Sequence, residues 1–228
     1  MSYSEAVLEE IISQLPGAVV PAVNLAIWNV LDEFCTKTNS WQEDVELVLT
    51  EDVIQYSIPV PSGAALVRII DATHRGIRLR ETDPGSISMR GRIRGELDGD
   101  SAVFSPSDTM IAYVIYSPEY ITVTTPPTAA ATETPMKMRL ALKPSRGCSN
   151  EDNPLDFMPD WFVDRYRMHF VDGVLWRMMA QPSRPYSDKT LAQYHAQRFR
   201  GGMNTARGDV VYGPFYGGAV VTNGGFRS

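Results

Sequence analysis

The sequence predicts an α+β fold: helical hairpins forming a four-helix layer, a small antiparallel β sandwich or barrel inserted between them, and an extended C-terminal arm. Three observations carry this. Apolar residues recur at three- and four-residue steps near both ends of the 228-residue chain, the spacing of a helix with one buried face. Between those ends lie six or more short alternating segments separated by turn residues, the pattern of mainly antiparallel strands. After them comes a glycine-rich stretch with many aromatic and β-branched residues, too glycine-rich for a helix and too apolar for a plain linker.

The first helix is expected from Ser4 to Leu15, with Val7, Ile11 and Ile12 on one side, Ser4 as its N-cap and Pro16-Gly17 as its stop. Pro21 opens a second helix, whose stripe is Val23, Ile27, Val30, Leu31 and Phe34, with Trp28 beside it, and which fades around Thr36 to Asn39. These helices make up residues 1–40. Residues 41–150 read as the β domain. Its strands are expected around Val45–Leu49, Val53–Tyr56, Ala65–Ile70, Ile77–Arg80, Ala102–Phe104, Met110–Tyr116, Tyr120–Val123 and Met138–Leu142. Turn signals fall at Asp83-Pro84-Gly85, Asp98-Gly99-Asp100 and Ser117-Pro118-Glu119. Residues 124–135, small and polar with three prolines, are expected to form a long exposed loop.

Residues 151–207 predict a C-terminal helical hairpin. From Pro159 a stripe runs through Trp161, Phe162, Val163, Tyr166, Phe170, Val174, Leu175 and Met178. Gly173 interrupts it and predicts a close helix crossing. Pro182 and Pro185 lie in a short connection, Ser187 is the expected N-cap, and the last helix buries Ala192, His195, Phe199, Met203 and Ala206 before ending near Arg207. Leu191 and Tyr194 flank that stripe. The short connection predicts an antiparallel pair. Residues 208–228 are expected to form an extended arm, with Val210, Val211, Tyr212, Phe215, Tyr216, Val220, Val221 and Phe226 as the side chains that dock on a partner.

The net charge of −6 is uneven. Residues 1–60 hold ten acids against Lys37 alone, whereas residues 160–207 hold eight bases against four acids. Opposite signs at two places in one chain can meet within a subunit or between copies. Glu9, Glu10, Asp32 and Glu33 on one side and Arg198, Arg200 and Arg207 on the other are the candidates for contact between subunits. An acidic protein is poorly suited to tight DNA binding, which needs neutralised phosphates. The polar, acidic N-terminus is unlike a secretory signal, and no apolar run reaches the length of a membrane span. Cys35 and Cys148, far apart, suit a reducing compartment as two free thiols.

No catalytic or cofactor chemistry is predicted. His74, His169 and His195 form no metal-ligand spacing, and His169 and His195 fall on core helices as structural histidines. His74 lies near a strand end without a partner motif. Cys148 has a neighbouring base, Arg146, but no signature of a general base or orienter. Asp98 and Asp100 are turn residues without the other ligands of a calcium loop. No Gly-x-Ser-x-Gly elbow and no P-loop occurs.

Several strings resemble the head-to-tail adaptor proteins of short-tailed phages. The strongest runs from Leu155 to Arg207: Met158-Pro159-Asp160-Trp161-Phe162 opening a helix, Asp172-Gly173-Val174-Leu175-Trp176-Arg177-Met178-Met179-Ala180-Gln181-Pro182, Pro185-Tyr186-Ser187-Asp188, Leu191-Ala192-Gln193-Tyr194-His195, and Phe199-Arg200-Gly201-Gly202-Met203-Asn204-Thr205-Ala206-Arg207. This looks like the paired C-terminal helices of such adaptors. A second piece, Leu31-Asp32-Glu33-Phe34-Cys35-Thr36-Lys37-Thr38 followed by Trp41-Gln42-Glu43, looks like the end of the family's second helix. The resemblance implies a ring, usually of twelve copies, docked under the portal and receiving the tail nozzle or hub. DNA would pass through its centre, without cofactor, membrane or sequence-specific binding. It implies a virion protein of the head-tail interface, assembled in the host cytoplasm. The competing readings are another virion structural part, such as a tail tube or decoration protein, and a phage-borne hydrolase.

Overall fold

A computed structural model describes residues 3–82, 112–124, 126–145 and 154–212. The fold is α+β. The described residues divide into two compact units, one built from residues 3–40 and 154–212 and the other from residues 41–145.

The first unit contains α1 (Tyr3–Ser13) and α2 (Val20–Thr38) from the start of the chain. Its later part is a 3-10 turn at Pro154–Phe157, then α4 (Asp160–Met179) and α5 (Lys189–Tyr212). The expected stripes are buried: Val7 and Ile11 on α1, Val23, Ile27, Val30, Leu31 and Phe34 on α2, Phe162, Phe170, Val174, Leu175 and Met178 on α4, Phe199 and Ala206 on α5. Helix α4 is the common partner: α1, α2 and α5 all pack on it, and α2 also reaches α5. The Phe34 ring sits at the centre, with ring centroids 5.1 Å from Phe170, 5.2 Å from Tyr166 and 6.2 Å from Phe199. Burying a ring of this size stabilises by about 1.5–3 kcal/mol.

The ends of the helices have local causes. Pro21 lies in the first turn of α2, where a missing N–H costs nothing. Asn39 closes α2 in the left-handed region (φ 52°), donating its N–H to the Cys35 carbonyl at 2.9 Å. The cap of α5 is Asp188, one residue past the expected Ser187. Its carboxylate accepts from the N–H groups of Thr190 (2.8 Å) and Leu191 (2.9 Å), the two-bond arrangement a helix start favours. The expected Ser4 cap lies among side chains outside the described ones. Trp161, placed by its spacing in the apolar stripe of α4, is instead 54% exposed.

Gly173 fits the predicted close crossing. A Cβ built there would lie 2.8 Å from Val30 Cγ1 of α2 and 2.9 Å from the Phe199 ring of α5. Three helices therefore meet at one missing methyl group.

The second unit holds two four-stranded sheets, in the orders β1-β8-β3-β4 and β2-β7-β6-β5. The strands are β1 (Gln42–Leu47), β2 (Gln55–Ser57), β3 (Ala64–His74), β4 (Ile77–Arg78), β5 (Arg80–Glu81), β6 (Ala112–Ser117), β7 (Tyr120–Val123) and β8 (Met136–Pro144). Strand β8 is central to its sheet, with Met136, Met138, Leu140 and Leu142 buried in alternation and Lys137 and Arg139 outward. Outward charges pair across the ladder. Arg139 binds Asp44 at 2.7 Å, which holds the Asp44 carboxyl below its ordinary pKa. Pairing is antiparallel except between β5 and β6, which run parallel. The expected strand at Ala102–Phe104 and the turns at Asp83–Gly85 and Asp98–Asp100 lie outside the described residues.

The segment expected as an exposed loop at 124–135 is more ordered than its composition suggested. It contains a helical turn, α3 (Ala129–Thr132), whose N-cap Thr128 accepts from the Ala131 N–H. Ala131 is fully buried, and its carbonyl lies 3.0 Å from His74 Nε2. Arg75 donates to the Ala130 carbonyl. Ala129, Ala130 and Glu133 are exposed as expected, and of the three alanines only Ala131 is packed against the end of β3.

Substituting Gly173→Ala would force overlap at Val30 and Phe199, costing about 1–3 kcal/mol against about 1 kcal/mol of helix propensity gained. We expect a lower urea midpoint with an unchanged slope; a midpoint at or above wild type would remove the tight crossing from the account.

Candidate assembly surface

Several of the predicted charged residues are engaged inside the chain. Arg167 of α4 reaches Glu10 of α1 with Nη2–Oε2 at 2.6 Å. Arg177 of α4 pairs with Glu33 of α2, which also takes Lys37 one turn on. Arg207 of α5 donates Nε–H to the Lys37 carbonyl at 2.9 Å, meeting the C-terminal end of α2 where carbonyls lack helical partners. Arg198 Nε lies 3.1 Å from the buried Asp172 Oδ2. Arg200 sits over the Trp176 ring at 5.8 Å. Of the seven residues proposed for subunit contact, Glu10, Glu33, Arg198 and Arg207 thus have partners within the chain, while Glu9 and Arg200 are exposed and Asp32 is half-buried.

The histidines differ in environment. His195 Nδ1 is 2.8 Å from Asp172 Oδ1, and Asp172 is itself 3% exposed. With the Arg198 guanidinium 3.1 Å from the second oxygen, these contacts tie α5 to α4 at a buried carboxylate. His169 is only half-buried. Its ring lies where a Cβ of Gly202 would be, so the small residue on α5 makes room for the imidazole. Burial holds the His169 pKa below its ordinary value. His74 is fully buried at the end of β3, with Nδ1 unpartnered among the described residues. Cys35 is a buried thiol in α2. Cys148, Asp98 and Asp100 lie outside the described residues. Among the described residues no cluster of three His, Cys, Asp or Glu side chains is placed to hold a metal ion, and no helix is long and apolar enough to cross a membrane.

The first residues of the segment expected to be an extended arm are helical. Val210, Val211 and Tyr212 belong to the last turns of α5, not to an extended segment. The helix passes Gly208 because Asp209 is held from α4: Arg165 donates to Oδ2 at 2.9 Å and the Tyr166 hydroxyl at 3.2 Å. Two such bonds offset the roughly 1 kcal/mol that a helical glycine costs. Phe215, Tyr216, Val220, Val221 and Phe226 lie outside the described residues.

What remains outward on the helical unit is a set of large apolar side chains. Trp161 and Met168 are exposed on α4, Leu191, Tyr194 and Val211 on α5, the last at 70%. Spacing alone missed Trp161; the signal that marks it is the pair of carboxylates, Asp160 and Asp164, on either side.

The depressed His169 pKa has a signed consequence. The unfolded chain binds a proton at His169 more readily than the folded one, so this group's contribution is complete above the unfolded value near 6.5 and is lost as pH falls towards the lower folded value. We expect the denaturation midpoint to drop between pH 7.5 and 5.5 and the drop to be smaller in His169→Gln; equal slopes in both proteins would exclude His169 as the source.

A helical unit with large exposed apolar groups suits a part that docks to other proteins. Among curated proteins none matches the chain in sequence. The family model described as SU10 adaptor protein matches residues 4–218, nearly the whole chain and both units. The chain belongs to the SU10 adaptor protein family, and is thereby a phage head-to-tail adaptor and a structural component of the virion.

Proposed function

We propose that the protein forms a closed homo-oligomeric ring, of twelve copies, that sits under the portal, receives the tail nozzle or hub on its other side, and lets DNA pass through its centre. The observation that carries this is the family match over residues 4–218, because an adaptor must contact both portal and tail components. A heterologous contact that closes by rotation yields such a ring, and the helical unit, with its outward apolar side chains, is the part suited to make it. The role is structural and not catalytic. Subunits are made and assembled in the host cytoplasm.

The net charge of −6 per copy favours a channel surface that is neutral or acidic. Lys and Arg contributed by every copy would add up to strong, salt-dependent retention of DNA. A reconstruction of the particle with a channel dominated by Arg and Lys would contradict this.

The docking arm in this reading starts after Tyr212, with Phe215, Tyr216, Val220, Val221 and Phe226 as its portal-facing groups. Large aromatic side chains between glycines give contact area at low entropic cost, and a ring multiplies weak arms by avidity. Removing residues 213–228 keeps Asp209 and its partners, so the truncated protein should retain the wild-type melting profile. We expect it to fail to join portal-containing heads. Joining them as well as the intact chain would show that the arm is not the portal ligand.

A further inference from the structure

We propose that a groove along α5 over Trp176 is the socket for the Asp160-Trp161-Asp164 edge of α4 in a second copy of this chain. This rests on the ring reading above and names its subunit junction.

The groove runs along one face of α5, bordered by the end of α4 at Trp176 and Ala180 and by Glu33 and Lys37 of α2. Two adjoining openings, of about 340 and about 590 Å³, share Trp176 and Arg200. They extend along α5 from Lys189 to Arg207, a length of about 27 Å at 1.5 Å per residue. The floor is apolar, formed by Trp176, Ala180, Ala192 and Ala196. Its rim is basic, with Lys189, Arg200 and Arg207. None of these three cations has an ion-pair partner among the described residues. Glu33 is the one acid that lines the groove, and Arg177 and Lys37 already neutralise it. The indole of Trp176 is flanked by Arg177 at 5.6 Å and Arg200 at 5.8 Å. The site thus has an apolar centre and excess positive charge, and it asks for an apolar anchor carried beside carboxylates.

The same chain presents that combination on α4. Asp160, Trp161 and Asp164 are exposed, Trp161 at 54%. Neither carboxylate has an ion-pair partner among the described residues. The two acids stand one helical turn apart, about 6 Å along the axis, and both lie on the same flank of Trp161 around the helix. Trp and Arg are the side chains that most often dominate interfaces when desolvated in a pocket. The socket and the edge belong to opposite ends of α4, fifteen residues apart from Trp161 to Trp176, so a subunit cannot fill its own socket through this helix. Two different, complementary patches on one chain are what a heterologous, ring-closing contact requires. Charge complementarity selects a second copy over DNA, whose phosphates would bring no apolar anchor for the floor.

The test uses full-length protein and counts adaptor copies on portal-containing heads by imaging and quantitative gel. One variant reverses the edge, Asp160→Lys with Asp164→Lys. Another reverses the socket, Lys189→Glu with Arg200→Glu. A third carries all four changes. Circular dichroism and melting establish that each is folded. Where a reversal disturbs folding, the neutral pairs Asp160→Asn with Asp164→Asn and Lys189→Gln with Arg200→Gln read the same quantity. We expect each reversal to lower ring-bearing heads about tenfold or more, as loss of an interfacial charge pair does, and the fourfold variant to return to within about threefold of wild type. Folded reversals that assemble normally, or a folded fourfold variant that is not restored, would overturn the junction while leaving the ring intact. Loss with the socket reversal alone would assign the groove to a portal or tail protein and also overturn it. Wild-type heads carrying isolated copies would instead sink the ring reading itself.

Discussion

The helical unit depends on a single absence, the side chain of residue 173. Helices α2 and α5 both approach α4 at Gly173, with Val30 and Phe199 occupying the space a methyl group would need. That approach sets how far Phe34 can enter among Phe162, Tyr166, Phe170 and Phe199. Close-packed interiors transmit such constraints, because a shift of a few tenths of an ångström has no void to absorb it. The next residue upstream, Asp172, is buried too and is met from α5 by His195 and Arg198. An apolar crossing and a polar staple therefore lie side by side, one fixing distance and the other fixing register.

The polar contacts around this core are better understood as alignment than as stability. The Arg167–Glu10 and Arg165–Asp209 pairs are partly exposed, where an ion pair contributes about 0–1 kcal/mol. Their effect is to favour one arrangement of α1 and of the last turns of α5 on α4. Two pairs, Arg167–Glu10 and Arg177–Glu33, join the acidic start to the basic later helices within the subunit, while Lys189, Arg200, Asp160 and Asp164 are exposed and have no ion-pair partner among the described residues.

Much of this was legible in the sequence. The stripes of α2 and α5, the close crossing at Gly173, the end of α2 near Asn39 and the Tyr120–Val123 strand follow from spacing and turn chemistry, which act over a few residues. What was not legible depended on distant partners. Gly208 ends a helix by propensity, but Asp209 is held by Arg165 and Tyr166 of another helix, so α5 continues to Tyr212. The alanines near 130 suggested an exposed loop, yet His74 and Arg75 at the end of β3 receive their carbonyls. Opposite charges along a sequence say that pairs will form, not whether they form within one chain. Trp161 fits the period of a buried stripe, and only the helices around α4 decide that it points outward.

The order of these elements along the chain has a consequence for synthesis. Helices α1 and α2 emerge first, yet their packing partner α4 begins only at Asp160, more than a hundred residues after α2 ends at Thr38. The intervening β strands pair with one another. On the ribosome, the inserted unit can therefore complete its sheets while Ile27, Leu31 and Phe34 still expose a core face with nothing to cover it. Contacts of such long sequence separation form late and slowly, and an uncovered apolar helix face during that interval is where misassembly between nascent copies begins.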